Sequence, residues 1–400
     1  MLAMAPASKA APPQANAKLL DAVKACDKPA RALMKQAVAI DSGTGDAEGL
    51  AAIGALFGAQ FKALGADVKP MAPAPPAVGD NILATFTGTG KGRILLIPHM
   101  DTVFSRGDVA KRKPHWEGDR YIGPGAGDDK SGEVTAVCAL SALKAIGFKD
   151  FARIDVLMNA SEETGSHGSK ALIQAMAKDS DLVLALERGY PHDKVVAARK
   201  GSASLIIDFT GRAAHSGLEP EKGRNAALEA ARVALALGAL SDPAKQTTVT
   251  VDILVGGDKT NVVPAHAKLI ADVRAFSAAE FDRVEQAAAA IAARPGIDGV
   301  TITSTLNRSF PPWPRNPAGD AVVARANRLY AELGHNLTPV SVGSSGDAAL
   351  AAQMGAPTLD GFAMEGDGAH SVDDSADFST LTPRAYLLAR MLMDVGHDPK

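Results

Sequence analysis

The chain has 400 residues, 46% apolar and 22% charged, a balance that suits a globular protein of about two domains rather than one small core. Its net charge of −3 gives no basic footprint for nucleic acid and no polybasic membrane signal, and no apolar run approaches a bilayer span. Two cysteines, Cys26 and Cys138, are too few for a disulfide framework, and Cys138, inside an apolar helical pattern, reads as a small core residue.

Residues 1–17 are rich in Ala and Pro and lack a proper apolar h-region. They read as an unstructured lead-in or as the remnant of a trimmed secretory signal, so the compartment stays open between cytoplasm and periplasm. Helical periodicity covers Lys18–Gln36 and Glu48–Leu64, and a Pro-rich connector follows at 70–76. Arg93–Pro98 reads as a buried strand with His99 at its end. Lys130–Ile146 is helical, Ile154–Asn159 is a strand leading into Glu162-Glu163, and Asp181–Leu186 is a strand ended by Glu187. Apolar strands alternating with helices predict an α/β domain whose sheet is buried on both faces. Three candidate ligands fall just past strand ends, where such sheets place their sites. The run Gly88-Thr89-Gly90-Lys91-Gly92 lacks phosphate-loop spacing and reads as a surface hairpin.

Past Lys200 the pattern changes. Ala203–Thr210, Thr247–Leu254 and Lys268–Phe276 alternate like strands around an apolar helix at Asn225–Leu240, which predicts an α+β module with a half-exposed sheet. The segment Phe310–Arg315 reads as a hinge back to the first domain, which helices over Asp320–Leu333, Asp347–Met354 and Pro383–Val395 would complete. The expected organisation is a discontinuous first domain, 1–200 and 313–400, with an inserted α+β module at 201–312.

Four short segments carry the chemistry: Pro98–Val103 with His99 and Asp101, Gly125–Lys130 with Asp128-Asp129, Ala160–Gly165 with Glu162-Glu163, and Ala369-His370-Ser371. Glu187 adds a lone carboxylate. One carboxylate from each acidic site plus His99 and His370 suits two Zn²⁺ ions that share a bridging carboxylate. His99 and Asp101, two apart at a strand end, lean to the same side, so Asp101 can accept the imidazole N–H. Asp128-Asp129 opens a helix after a glycine loop, which reads either as an N-cap or as a bridging ligand. Two adjacent buried acids at 162 and 163 should repel unless one binds metal and leaves the other for proton transfer. The bland reading is a solvated helix start.

Taken together, these segments resemble the zinc-dependent carboxypeptidase/aminoacylase family of metallopeptidases, nearest to its bacterial folate-hydrolysing glutamate-carboxypeptidase branch. The resemblance runs from Ser42-Gly43-Thr44-Gly45 through Gly123–Gly132 to His370 and covers nearly the whole chain past the lead-in. It implies that His99 and Glu187 bind one metal, that Glu163 and His370 bind the other, and that Asp128 bridges them. It further implies Glu162 as general base, Asp101 as the residue that orients His99, and a cis peptide between Asp128 and Asp129. It implies that the inserted module, 201–312, is a lid and dimerisation domain beside a catalytic domain at 1–200 and 313–400, with His215, within Gly211–Gly217, as an oxyanion donor from the same chain or a partner, and Asn261 and Arg274 as substrate contacts. The sequence departs from that branch at Arg199-Lys200-Gly201, two basic residues at the domain joint, and at Ser344-Ser345-Gly346-Asp347.

The expectation is therefore a homodimeric dizinc hydrolase, with Co²⁺ or Mn²⁺ able to stand in for Zn²⁺, that cleaves an amide bond next to a free carboxylate. Its partners would be small peptides or N-acyl amino acids, with neither nucleic acid nor membrane. An N-acyl amino-acid deacylase or a dipeptidase needs the same centre with a different pocket. A non-catalytic peptide-binding protein would not need Glu162.

Overall fold

The computed structural model describes residues 14–399, so the lead-in falls almost wholly outside the described residues. Two compact units emerge: Met1–Ala197 with Asn316–Val340 and Met354–Lys400, and Ala198–Arg315 with Ser341–Gln353. The joints therefore lie a few residues from the expected 200/201 and 312/313. The segment 341–353, expected in the catalytic domain, belongs to the second unit. Tertiary contacts explain this: the Lys200 N–H donates to Val342 O, and the Arg199 guanidinium donates to Ser344 Oγ and Ser345 O.

In the first unit a six-stranded mixed sheet runs in the order Asp67–Met71, Asn81–Thr87, Arg153–Met158, Arg93–Ile97, Leu182–Ala185, Thr358–Leu359. The last four strands are mutually parallel, while the outer pair on the other side is antiparallel. Composition follows position. The central strands Arg93–Ile97, Arg153–Met158 and Leu182–Ala185 are nearly continuous apolar runs, buried throughout their interiors, as strands covered on both faces must be. Asp67–Met71, at the edge, has no buried residue.

Helices Ala47–Leu64, Lys130–Ala145 and Leu381–His397 contribute to the same core. Asp46 caps the first by accepting the Gly49 N–H, and Gly65, at φ 109°, ends it in the left-handed conformation. Cys138 lies in the core, as its apolar surroundings predict, and there it forms a disulfide with Cys26, their Cα atoms 5.7 Å apart, a pairing that the count of two cysteines gave no reason to expect. The bond ties the junction of helices Ala17–Lys24 and Asp27–Val38 to helix Lys130–Ala145. The partners are 112 residues apart, and nothing local in either segment shows that the fold brings them together.

A small four-stranded sheet, in the order Gly366–Asp367, Ser375–Asp377, Arg120–Ile122, His115–Glu117, also belongs to this unit. Its two inner strands pair Ser375 with Ile122. The glycine loop that follows Ile122 and the His370 loop that precedes Ser375 therefore emerge side by side.

The second unit is an antiparallel sheet, in the order Thr248–Gly256, His266–Ala275, Gly201–Thr210, Thr301–Arg308. Helices Ala226–Gly238 and Ala278–Ala292 pack on one face, over Ala203, Leu205, Ile207, Leu269, Ala271 and Val273. The alternate residues of the strands face away from that core, the pattern of a one-sided sheet. Among the described residues no helix is long and apolar enough to cross a membrane.

Candidate metal centre

Five segments of the first unit converge just beyond the carboxyl ends of its parallel strands. His99 follows strand Arg93–Ile97 and bridges to Asn159, after strand Arg153–Met158; the turn Glu162–Thr164 comes next. Glu187 lies two residues past Leu182–Ala185. Asp128 ends the glycine loop, and its peptide to Asp129 is cis. His370 sits in the loop between two strands of the small sheet, at φ 63°.

The Asp128 carboxylate stands between the two imidazoles. Its Oδ1 lies 3.1 Å from His99 Nε2 and its Oδ2 lies 3.3 Å from His370 Nε2. On the first side Glu187 Oε1 is 3.8 Å from His99 Nε2. On the second, Glu163 Oε2 is 3.1 Å from His370 Nε2. Ligand atoms of His99, Asp128 and Glu163, and of His99, Glu162 and Glu187, form two groups whose members all lie within 4.8 Å of one another.

Electrostatics agree with a cation-seeking site. Burial opposes ionisation of Asp128, yet His370 and His99 hold it well below the usual carboxylate range. The Asp128 and Glu163 carboxylates push His370 up to about 10. Glu163 is raised, first by burial, and its Oε1 is buried without a hydrogen-bond partner. Four carboxylates and two imidazoles crowded together, with an orphaned oxygen among them, are donors of the kind that divalent metals take. The residues present fit the expected group.

Asp101 reaches the His99 imidazole with both its carbonyl and its carboxylate, and the carboxylate has further partners. His99 Nδ1 lies 2.9 Å from the Asp101 backbone carbonyl, while the carboxylate Oδ1 is 3.4 Å away. The carboxylate also accepts the N–H groups of Glu162 and Glu163, at 3.0 and 3.1 Å, and the Thr44 hydroxyl at 2.6 Å. The residue still fixes the His99 tautomer, through its main chain, and it also anchors the turn that carries both glutamates.

Several contributors lie outside the expected ligand set. Asp374 accepts the N–H groups of Gly125 and Gly127, at 2.7 and 3.0 Å, and so shapes the loop before Asp128; burial raises its own carboxyl to about 7. Asp129 Oδ2 accepts the His99 N–H at 3.2 Å. Glu133 is fully buried with neither oxygen hydrogen-bonded, and burial pushes it up to about 8. An acid on the inner face of helix Lys130–Ala145 is visible as a break in the apolar pattern, but its partners are not. Gly132 is required by close approach: a Cβ there would lie 2.4 Å from Leu186 O.

His215, Asn261 and Arg274 belong to the second unit. His215 Nδ1 accepts the N–H groups of Gly217 and Leu218, which fixes the exposed ring within its loop. Asn261 accepts the Ser216 N–H through its backbone carbonyl and is exposed. The Arg274 Nε donates to both Asp272 oxygens, at 3.0 and 2.8 Å, and Nη1 donates to Ser345 Oγ at 3.1 Å.

An α/β catalytic unit with carboxylates and imidazoles gathered at its strand ends, interrupted by an α+β insert, defines a metallopeptidase-type hydrolase. Residues 95–394 match the model of peptidase family M20/M25/M40, and the chain belongs to that family. It is 36% identical over 366 residues to carboxypeptidase G2 of Pseudomonas sp. (strain RS-16), covering 91% of this chain and 88% of that one. A tripeptidase from Staphylococcus aureus superposes with a TM-score of 0.77 at 22% identity, covering 93% of this chain and 99% of the other. The aminopeptidase PepT of Bacillus cereus superposes at 0.74 and 23% identity, covering 92% and 98%. These two likenesses speak for the fold.

Proposed function

We propose that the protein is a dizinc hydrolase that cleaves an amide bond beside a free carboxylate, in the manner of a glutamate-carboxypeptidase-like exopeptidase. The observation that carries this reading is the Asp128 carboxylate, which turns one oxygen to His99 and the other to His370. With Glu187 on the His99 side and Glu163 on the His370 side, the donors divide into two sets that share one bridge. The 36% identity to a relative named as a carboxypeptidase, over most of both chains, supports the reaction class.

Two divalent cations, when bound, would acidify a water and polarise the scissile carbonyl. Glu162, 8% exposed and in the same cluster as His99 and Glu187, takes the proton from that water and returns it to the leaving amine. Asp101 holds Glu162 in place through its main-chain N–H. His215, its Nδ1 already committed to the loop, presents Nε2 to the oxyanion. Arg274 receives the substrate's free carboxylate by a charge-assisted hydrogen bond, and Asn261 supplies a second polar contact.

The test is metal analysis of undialysed protein together with a screen of N-acyl amino acids and dipeptides. About two metal equivalents per chain and turnover that requires a free carboxylate are expected. A protein with no metal, and no activity gained on adding Zn²⁺ or Co²⁺, would refute it. Equal hydrolysis of acids and their amides would make it a broader amidase.

A further inference from the structure

His99 and His370 face the same carboxylate, but the two rings are held differently. The His99 side chain is 3% exposed, its N–H is taken by Asp129, and its Nδ1 lies against Asp101 O. The His370 side chain is 56% exposed, and its Nδ1 has no hydrogen bond among the described residues. A metal-binding imidazole is ordinarily aimed by a partner on its second nitrogen. His370 has to be aimed through its main chain, which at φ 63° takes the left-handed conformation that residues with a side chain avoid.

That main chain is tied down at one place. Ser371 N and Oγ both donate to Gly368 O, and Asp373 N donates to Ser371 Oγ, so these bonds stay inside the loop. Among the described residues, between Gly368 and Asp373, only Ser371 O reaches a distant segment. It accepts from Arg112 Nη1 at 3.0 Å. Arg112 closes the short helix Asp108–Arg112, which Asp41 pins by accepting the Gly107 and Val109 N–H groups. Its guanidinium stacks 4.3 Å from the centre of the buried Phe104 ring. Phe104 is a firm platform. Two residues earlier, Thr102 N donates to Ser42 O and Thr102 O accepts from Thr44 N, at 3.0 and 3.1 Å. An arginine at the end of a helix ordinarily pairs with an acid four residues back. Here the Asp108 oxygens are taken by Lys111 and by the Ser105 N–H, and Arg112 forms no ion pair among the described residues.

We propose that Arg112 is a positioning residue for the metal pair: it clasps the His370 loop to Phe104 and so sets the affinity of the site that His370 and Glu163 form. Stacking flat on a ring while aiming one N–H at a carbonyl suits a guanidinium better than an ammonium. The proposal rests on the reading above that His370 and Glu163 hold one cation while His99 and Glu187 hold the other.

The test titrates the metal-stripped full chain with Zn²⁺ against a chromophoric chelator. The unmodified chain should take about two equivalents. Arg112→Gln should weaken one of them by about 10- to 100-fold and leave the other. Arg112→Lys, which keeps a donor, and Phe104→Leu, which keeps an apolar body, should each lose less at the same equivalent. These two carry the comparison if melting curves show that Arg112→Gln fails to fold. Lys111→Met, which removes an exposed neighbouring charge, should change neither equivalent. In a His370→Ala background, Arg112→Gln should cost nothing further, because it acts through that ring. Both equivalents unchanged, both weakened alike, or an added loss on top of His370→Ala overturns the clasp and leaves the hydrolase standing. If the unmodified chain takes fewer than two equivalents, the dizinc reading fails, and hydrogen exchange of the metal-free chain decides. Peptides spanning 368–373 that exchange roughly 5- to 10-fold faster in Arg112→Gln, with those around Glu187 unchanged, then uphold the clasp. Equal exchange removes it.

Discussion

Asp101 Oδ1 accepts the backbone N–H of Glu162 at 3.0 Å, so the residue two places after His99 also fixes the turn that carries the proposed base. Its Oδ2 takes the Glu163 N–H and the Thr44 hydroxyl. Asp101→Ala should leave those buried donors unsatisfied and loosen both glutamates at once. Metal affinity or turnover should fall by about 10- to 100-fold, as is common when the partners behind metal ligands are removed. Chelator competition and kcat/KM measured on the same preparation check this. Thr44→Ala, which removes one donor and leaves the two backbone contacts, should have the smaller effect. Equal activity in Asp101→Ala would show that the turn stands without it.

The two adjacent glutamates should separate by function. Glu162→Gln keeps the shape of the side chain and removes the base, so both metals should remain while turnover drops by about 10²–10⁴-fold. Glu163 points Oε2 at His370 and leaves Oε1 buried without a partner. Glu163→Gln should therefore lower metal occupancy. Metal analysis beside steady-state kinetics distinguishes the two, and near-normal turnover in Glu162→Gln would move the base elsewhere.

What the sequence discloses about this site depends on distance along the chain. His99 and Glu187 stand out because apolar strands end on them, and a strand buried on both faces leaves few other readings. The strand Thr301–Arg308 escapes notice: only Ile302 and Leu306 are large apolar residues, and both are half-buried, so its alternation is faint. Asp101 shows the limit of local spacing. Two residues past His99 it was bound to lie near the imidazole, but whether the ring meets its carboxylate or its carbonyl depends on Glu162 and Glu163, 61 and 62 residues away. Asp374 reaches Gly125 and Gly127 across 249 and 247 residues, and Cys26 meets Cys138 across 112. No periodicity records such meetings. The attachment of segment 341–353 is hidden for the same reason, since its helix is legible and its hydrogen bonds to Arg199 and Lys200 are not.

The outer strand of the second unit should support a homodimer. Thr248–Gly256 is an edge strand, and Ile253, Leu254 and Val255 are 46%, 43% and 55% exposed. Helix Ala226–Gly238 of the same unit adds Leu228 and Leu235, 62% and 82% exposed. An apolar edge with unpaired main-chain groups is a template for pairing with a second copy. Light scattering at micromolar concentration should give twice the chain mass. Leu235→Asp together with Val255→Lys should shift it toward monomer. A clean monomer mass for the unmodified protein would contradict the interface and would leave His215 to act within its own chain.

The disulfide should matter to stability more than to chemistry. It closes a loop of 112 residues between the first two helices and helix Lys130–Ala145, the helix that begins beside Asp128-Asp129. In the chain-entropy account, a crosslink over about 100 residues restricts the unfolded chain by roughly 4–5 kcal/mol. Cys138 is fully buried and Cys26 is 9% exposed, so reductant should act slowly on the folded protein and quickly once it opens. The Tm of the oxidised protein should therefore exceed that of the Cys26→Ser, Cys138→Ala double variant by several degrees. Reductant should lower the first and leave the second unchanged. Such a bond persists in an oxidising compartment and is rare in a reducing one, so protein recovered from its native source should carry no free thiol by alkylation under denaturing conditions. Two alkylated cysteines, with a Tm that matches the double variant, would show that the pair stays reduced where the protein works.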